Sequence, residues 1–243
     1  MFTWSPRFTR ALRFWSSIAI VMLYVASAAD AEDFGKFLDD VAAKWGHDGR
    51  TMELLDDLRF RAPGGEIWTA RKGAKIDGAS IPQLFWSVIG GPFEGRYRDA
   101  SVIHDYYCVH HLKSWQATDR VFYLGMRAKR VSKAKAETMY YAVYAFGPRW
   151  ETQITNQAFE TFSKGEHVEG TQTVKKTFIK SVEVTQKQLD LVKSIESRLD
   201  KGEALSLSNI EGLANKDRLS AKPIPTKTDV KVLSTHVPGI EIK

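Results

Sequence analysis

The chain has 243 residues, a formal net charge of +6 at pH 7 and one cysteine. A single cysteine excludes an intramolecular disulfide bond, so stability must come from packing. Part of the positive charge lies in the opening segment, at Arg7, Arg10 and Arg13, and the chain has no recognisable base-reading motif. The composition therefore does not predict nucleic-acid binding.

The opening segment has the pattern of a cleavable bacterial signal peptide. The three arginines precede an apolar run from Phe14 to Val25, and small residues at Ala28 and Ala31 follow it. This order predicts cleavage after one of those alanines. The run is shorter than the roughly 20 apolar residues that cross a bilayer. We therefore expect residues 1–31 to be removed, leaving a periplasmic or secreted protein that does not span a membrane.

The first part of the expected core domain, residues 32–150, combines a helix with a hairpin. Apolar residues from Phe34 to Trp45 recur at helical spacing. The next segments, Leu54–Phe60 and Glu66–Ala70, are two short strand candidates that flank Pro63-Gly64-Gly65. That order predicts a small β-hairpin, because glycine and proline favour a turn between two strands.

Three helices are predicted in the rest of the core domain. The first covers about Arg98 to His111, the second begins at Ser114, and the third runs from Ser132 to Gly147-Pro148. Serine is a favoured N-cap residue, and the glycine–proline pair ends a helix. The expected fold class is therefore α+β and mainly helical: a small N-terminal β-hairpin followed by a helical bundle that contains an antiparallel helix pair.

The sequence after Trp150 has fewer aromatic residues and predicts a helical extension over residues 151–220. Thr185 precedes an amphipathic pattern that continues to Leu199, and a shorter helix is expected near Ile210 to Ala214. From Ala221 onward, prolines and scattered polar residues predict a flexible tail over residues 221–243.

The predicted helix pair carries the densest group of reactive side chains. His104 and Asp105 lie on its first helix and Asp119 lies on its second. Two helices joined by a short turn are antiparallel neighbours, so Asp119 is expected to face His104. A carboxylate that orients an imidazole suits a general base acting on water. The same pair equally suits a structural hydrogen bond that holds two helices in register.

Asp105 and Asp77 are the predicted metal ligands. Asp105 lies about 100° around the helix from His104, so it should face a neighbouring space. Asp77 opens a glycine-containing loop, Asp77-Gly78-Ala79-Ser80, and Gly90-Gly91-Pro92 forms a second irregular stretch. Backbone carbonyls from such loops, together with carboxylates, are typical ligands of calcium. The expected cofactor is therefore calcium.

The order and spacing of several motifs resemble the domain of unknown function family 1353, which is found in phages and bacteria. The resemblance covers about residues 54 to 150 and includes the hairpin. The chain departs from the usual family pattern at Cys108, where a tyrosine is common, and has Tyr107 one place earlier. The family resemblance implies no established activity. The motifs that carry it are Asp77-Gly-Ala-Ser-Ile-Pro82, Trp86, Tyr97, His104-Asp105, Ser114, Asp119-Arg-Val-Phe122 and Tyr140-Tyr-Ala-Val-Tyr-Ala-Phe-Gly147.

A weaker resemblance concerns the order of the functional motifs. An Asp-Gly-x-Ser loop, a His-Asp pair on a helix and an Asp on the following helix together resemble secreted phospholipase A2. The resemblance implies that His104 is the base on water, that Asp119 is its orienting partner and that Asp105 is the calcium ligand. The absence of disulfides and the short interval between His104 and Asp119 are departures from that class.

These observations give three functional expectations. The first is an exported metal-dependent hydrolase that uses His104 and acts on lipid esters or another cell-envelope substrate. The second is a non-catalytic envelope or phage-derived module in which the same residues brace the helices and the C-terminal region contacts a protein of unknown identity. The third is a peptidoglycan hydrolase with a divalent metal held by Asp77, His104 and Asp105. Exposure of His104 to a cleft favours catalysis, whereas an imidazole sealed by Phe85, Trp86 and Phe122 favours bracing.

Overall fold

The structure is a computed structural model that describes Met1 and residues 32–48, 51–78, 82–91, 93–163 and 166–237. The predicted signal peptide therefore lies outside the described residues, apart from Met1. The loop residues Ala79, Ser80 and Ile81 also lie outside them, as does Pro92.

Two small antiparallel sheets precede the helices. The predicted hairpin is present, because Leu58–Arg61 pairs with Ile67–Ala70. The helix predicted from Phe34 to Trp45 is wrong, since two short strands occupy that segment and pair with later strands. The first sheet has the order β1-β4-β5 and the second β2-β3-β6. The strands are β1 (Lys36–Phe37), β2 (Ala43–Trp45), β3 (Met52–Leu54), β4 (Leu58–Arg61), β5 (Ile67–Ala70) and β6 (Lys75–Ile76).

Among the described residues, six α-helices follow or interrupt the strands. Three of them begin at the predicted caps. The Ser114 hydroxyl accepts a hydrogen bond from the Ala117 amide, the Ser132 hydroxyl accepts one from the Lys135 amide, and the Thr185 amide donates one to the Gln188 Oε1. The helices are α1 (Trp86–Ile89), α2 (Arg98–His110), α3 (Trp115–Ala128), α4 (Lys133–Phe146), α5 (Gln186–Asp200) and α6 (Leu207–Arg218). In the part of the chain that the structure describes, no helix is both long and apolar enough to cross a membrane.

A third antiparallel sheet lies where the sequence predicts a helical extension and a flexible tail. Its strands are β7 (Arg149–Ser163), β8 (Glu166–Lys180) and β9 (Lys227–His236), in the order β7-β8-β9. The two predicted helices do occur between β8 and β9. Residues 227–236 are paired with β8 along the length of the strand. The sequence signal for this hairpin is its alternating content of threonine, valine and other strand-favouring residues on both sides of Lys164-Gly165.

The expectation of a mainly helical bundle with one small hairpin is therefore wrong. The described residues contain nine strands in three antiparallel sheets beside the six helices. Part of the error has a physical cause: β9 pairs with a strand far away in the chain, whereas helix signals are local. The β7–β8 hairpin joins adjacent segments, and its local signal was missed.

Helices α2 and α3 form an antiparallel pair, as predicted. His104 meets Asp119 across the pair, and Ala100 lies against Gly125, so contacts run in opposite directions along the two helices. A Cβ atom on Gly125 would lie 3.0 Å from the Ala100 Cβ, so the glycine permits this close approach. One side of the pair packs on the two small sheets, and the other packs on α4.

Candidate functional site

The centre of the candidate site is a buried hydrogen bond between His104 on α2 and Asp119 on α3. The His104 Nε2 and the Asp119 Oδ1 are 2.8 Å apart. The two residues are only 1% and 4% exposed. The predicted pairing of these two side chains is therefore present, and it lies inside the protein rather than on its surface.

Aromatic and sulfur atoms surround the imidazole. The ring centroid of Phe122 lies 4.8 Å from that of His104. The Cys108 Sγ lies 3.7 Å from Nε2, because Cys108 is one helical turn after His104 and on the same face. The buried thiol thus occupies a packing position next to the His–Asp pair.

Burial has opposing electrostatic effects on Asp119. Removal of the carboxylate from water raises its pKa, and the hydrogen bond with His104 works against that rise. Two more distant guanidinium groups, those of Arg149 and Arg218, also favour the charged carboxylate. The pKa of Asp119 is raised overall, because burial is the largest of these effects.

Asp105 faces the loop that follows β6, as predicted, but its contacts there are with hydrogen-bond donors. Its Oδ2 accepts from the backbone amides of Asp77 and Gly78, at 3.1 and 3.2 Å. Gly78 has a φ of +67°, a left-handed conformation that favours glycine. Asp105 is 1% exposed, so this carboxylate fixes the loop backbone from inside the protein.

The described contacts of Asp105 are those of a hydrogen-bond acceptor. Two amide N–H groups point at the Asp105 carboxylate, whereas a calcium site requires further oxygen atoms around the ion. Across the described ranges, no group of three or more His, Cys, Asp and Glu side chains is arranged to hold a metal. The predicted calcium site at Asp105 and Asp77 stays a prediction, because residues 79–81 of its loop lie outside the described residues.

Tyr107 joins α2 to the hairpin sheet. Its hydroxyl accepts a hydrogen bond from the Thr69 amide at 3.1 Å, and its ring lies 4.5 Å from that of Trp68. The neighbouring Cys108 points instead toward His104. Tyr107 and Cys108 therefore have different roles: Tyr107 anchors β5, and Cys108 packs beside the His104 imidazole.

Two clefts of the described residues lie elsewhere on the molecule. Neither His104 nor Asp119 is among the residues that line these two clefts. The larger one is lined instead by Arg149, Arg218 and two tryptophans. Sequence reasoning missed both arginines, because no local pattern brings the end of α6 to the start of β7.

The comparisons with known proteins agree with the family resemblance. Residues 52–143 match the family model described as "Protein of unknown function (DUF1353)". This match confirms the resemblance for that region, and the region includes α2, α3 and most of α4. No solved structure matches the chain. The similarity to secreted phospholipase A2 is not shown by any comparison.

Two curated relatives from Sinorhizobium fredii (strain NBRC 101917 / NGR234) resemble parts of the chain. The uncharacterized protein y4jT is 46% identical over 149 residues, which is 60% of this chain and 44% of the relative. The uncharacterized protein y4iH is 47% identical over 97 residues, which is 40% of this chain and 41% of the relative. The chain thus spans less than half of the length of each of these relatives.

Proposed function

We propose that this protein is a non-catalytic interaction module of the cell envelope, in which the His104–Asp119 pair braces α2 against α3. The observation that carries the proposal is the 1% exposure of His104. A general base must reach a bound substrate or water, and this imidazole is covered by Phe122 and its neighbours. The signal-peptide pattern of residues 1–31 supports an envelope location.

The bracing role has a direct energetic basis. A buried polar group needs a hydrogen-bond partner, and each member of this pair supplies one to the other. Asp105 acts in the same way toward the loop at Asp77, and Tyr107 toward β5. Three residues of α2 therefore each hold a different element against the helix: His104 holds α3, Asp105 holds the loop at Asp77, and Tyr107 holds β5.

The third sheet supplies the exposed surface for a protein partner. Most side chains of β7 and β9 are exposed, and these strands carry large apolar residues in contact with water. β7 forms an edge of its sheet, and an edge strand offers backbone groups to a partner's extended segment. The exposed apolar residues on these strands are Ile154, Phe162, Val230, Val232 and Leu233.

An esterase or phospholipase-like hydrolase is the second candidate. The observation in its favour is the 2.8 Å contact between the imidazole and a carboxylate, which is the arrangement that orients a general base. In this candidate His104 is the base, Asp119 its partner, and Asp105 with Asp77 the calcium ligands. Calcium would supply charge stabilisation of a developing oxyanion.

Substitution of His104 separates the two candidates. We expect His104→Gln to lower the free energy of unfolding by about 1–3 kcal/mol, because the flexible amide makes a weaker hydrogen bond to the buried Asp119 carboxylate and packs less well against Phe122 than the imidazole does. His110→Gln is the matched control, since His110 is an exposed histidine on the same helix. Urea denaturation measures the stability of both variants against that of the wild type.

The same proteins are then tested for hydrolysis with calcium present. The substrates are phospholipid vesicles, a nitrophenyl ester and peptidoglycan. The bracing proposal expects no turnover above background in any of the three proteins. Turnover in the wild type and the His110 control that disappears in a folded His104→Gln protein would reject the bracing proposal and establish the hydrolase.

A further inference from the structure

The larger cleft, with a volume of about 670 Å³, lies between the start of α3, the start of β7 and the end of α6. It is separate from the His104–Asp119 pair, so a ligand could bind in it whether or not that pair is catalytic. Its walls combine basic and apolar side chains. Among the residues that line it are Trp115, Arg149, Trp150, Lys180, Arg218 and Ile224.

Arg149 is held rigidly at the wall of the cleft. Its guanidinium lies 4.1 Å from the centroid of the Trp115 ring. Its Nη2 donates to the Tyr144 carbonyl and to Asn215 Oδ1, at 2.9 and 2.8 Å. Its Nε is buried and has no acceptor among the described residues. A buried N–H group without an acceptor is costly, so a small movement of the side chain that brought this donor to an acceptor in the cleft would be favourable.

Arg218 brings a second guanidinium to the same wall. Its Nη1 donates to the carbonyls of Ala145 and Gly147, and its Nη2 donates to the Lys180 carbonyl at 2.9 Å. Burial and the positive charge of Arg149 lower the pKa of Arg218 to about 10. The two arginines are therefore close enough to repel each other in a partly buried setting.

The surrounding groups offset this pair of charges only in part. Within the described ranges, neither arginine forms an ion pair with a carboxylate, although the buried Asp119 attracts both of them. Lys180 and Glu151, both also in the wall, form an ion pair at 2.8 Å and cancel each other's charge. The carbonyls at the end of α4 offer only the partial negative charge of a helix C-terminus, about half an elementary charge. Two guanidinium groups thus leave an excess of positive charge at the cleft.

We propose that the cleft binds a small molecule through an oxyanion, either a carboxylate or a phosphate, carried on an apolar body. The guanidinium groups of Arg149 and Arg218 have planar arrays of donors that match two oxygens of such an anion. Trp115, Trp150 and Ile224 provide the apolar wall for the rest of the molecule. An anion at this position offsets the repulsion between the arginines, and it accepts a hydrogen bond from the Arg149 Nε once the guanidinium moves toward the cleft.

Three probes of similar size test the proposal on the full chain. Phenyl phosphate and benzoate carry the two candidate anions, and benzyl alcohol is the neutral control. We expect at least one of the anions to bind about tenfold or more tightly than benzyl alcohol, as measured by calorimetry, because charge-assisted hydrogen bonds are the stronger ones. Comparison of phenyl phosphate with benzoate identifies which anion is preferred. Equal binding of all three probes, or no binding of either anion, would overturn the proposal.

Substitutions assign the binding to the cleft. Arg149→Gln should weaken binding of the preferred anion about tenfold or more. Arg71→Gln removes the same charge from an exposed site outside the cleft and should leave the affinity unchanged. An equal loss in both variants would contradict the proposal.

If Arg149→Gln does not fold, proton NMR of the wild-type protein tests the proposal instead. The assigned Arg149 Nε–H signal should move downfield when the preferred anion is added, because this donor gains an acceptor. Benzyl alcohol should leave the signal in place. An Nε–H signal that does not respond to a bound anion would place binding elsewhere and overturn the proposal.

Discussion

The helix pair α2–α3 and the third sheet use their polar residues in opposite ways. In the helix pair, His104, Asp105 and Asp119 are almost completely buried, and each has a hydrogen-bond partner inside the protein. In the third sheet, most of β7 is exposed on both faces, and its polar side chains meet water. The region with the most conspicuous reactive residues is thus the less accessible one.

This difference shows that residue type and spacing predict which side chains will be in contact better than they predict the function of that contact. A histidine facing an aspartate satisfies the requirements of a general base and those of a buried structural hydrogen bond equally well. Solvent access distinguishes the two, and access depends on what other parts of the chain cover the pair. The surface regions, including the basic cleft, contain the groups that an external molecule can reach.

The largest loss of unfolding free energy is expected for Asp105→Ala. Loss of the buried carboxylate leaves the amides of Asp77 and Gly78 without this acceptor, so unfolding should become easier by about 3 kcal/mol. Asp57→Ala is the matched control, because the Asp57 carboxylate likewise accepts from a backbone amide, and from Arg71, but is only partly buried. The Asp57→Ala variant should lose much less unfolding free energy, since water can replace the hydrogen bonds that Asp57 accepts. Equal losses in urea denaturation would contradict the contrast between buried and exposed polar groups.

Removal of β9 should have an intermediate effect. A chain that ends at Thr226 lacks the strand paired with β8, and Val174, now 2% exposed, loses its neighbour Val232. Exposure of that valine and of the β8 edge should lower the free energy of unfolding by about 2 kcal/mol. Chemical denaturation of the shortened and full chains provides the measurement. An unchanged midpoint would mean that residues 227–243 act as the flexible tail that the sequence predicts.

The smallest effect concerns the contact between α4 and α6. The Tyr140 hydroxyl donates to Glu211 at 2.7 Å, and burial followed by this carboxylate raises the pKa of Tyr140. Tyr140→Phe should therefore cost about 1 kcal/mol at pH 8.

The same contact has a defined pH dependence. The native state keeps the Tyr140 proton to a higher pH than the unfolded state, where the phenol ionises near pH 10. The stabilisation that the protonated Tyr140 phenol contributes is present below about pH 10 and is lost as the pH rises further. Denaturation at pH 8 and pH 11 should show a smaller alkaline loss in Tyr140→Phe than in the wild type. Equal alkaline losses would indicate that the two states ionise alike at this residue.

The sequence by itself determined the elements whose signals are local. Ser114, Ser132 and Thr185 start helices because a cap acts on amides within the next few residues. The short connection between α2 and α3 also made the His104–Asp119 contact predictable, since few arrangements are open to two helices joined by a tight turn. The family resemblance rested on the same local motifs.

Only the tertiary structure decided what depends on distant segments. The pairing of β8 with β9, the amide contacts of Asp105, the burial of His104 and the meeting of Arg149 with Arg218 each depend on residues from different parts of the chain. Strand partners and solvent exposure are set by the packing of the whole chain, and no short stretch of sequence contains that information. For this reason the sequence predicted that His104 and Asp119 meet, and the fold decided that they meet away from solvent.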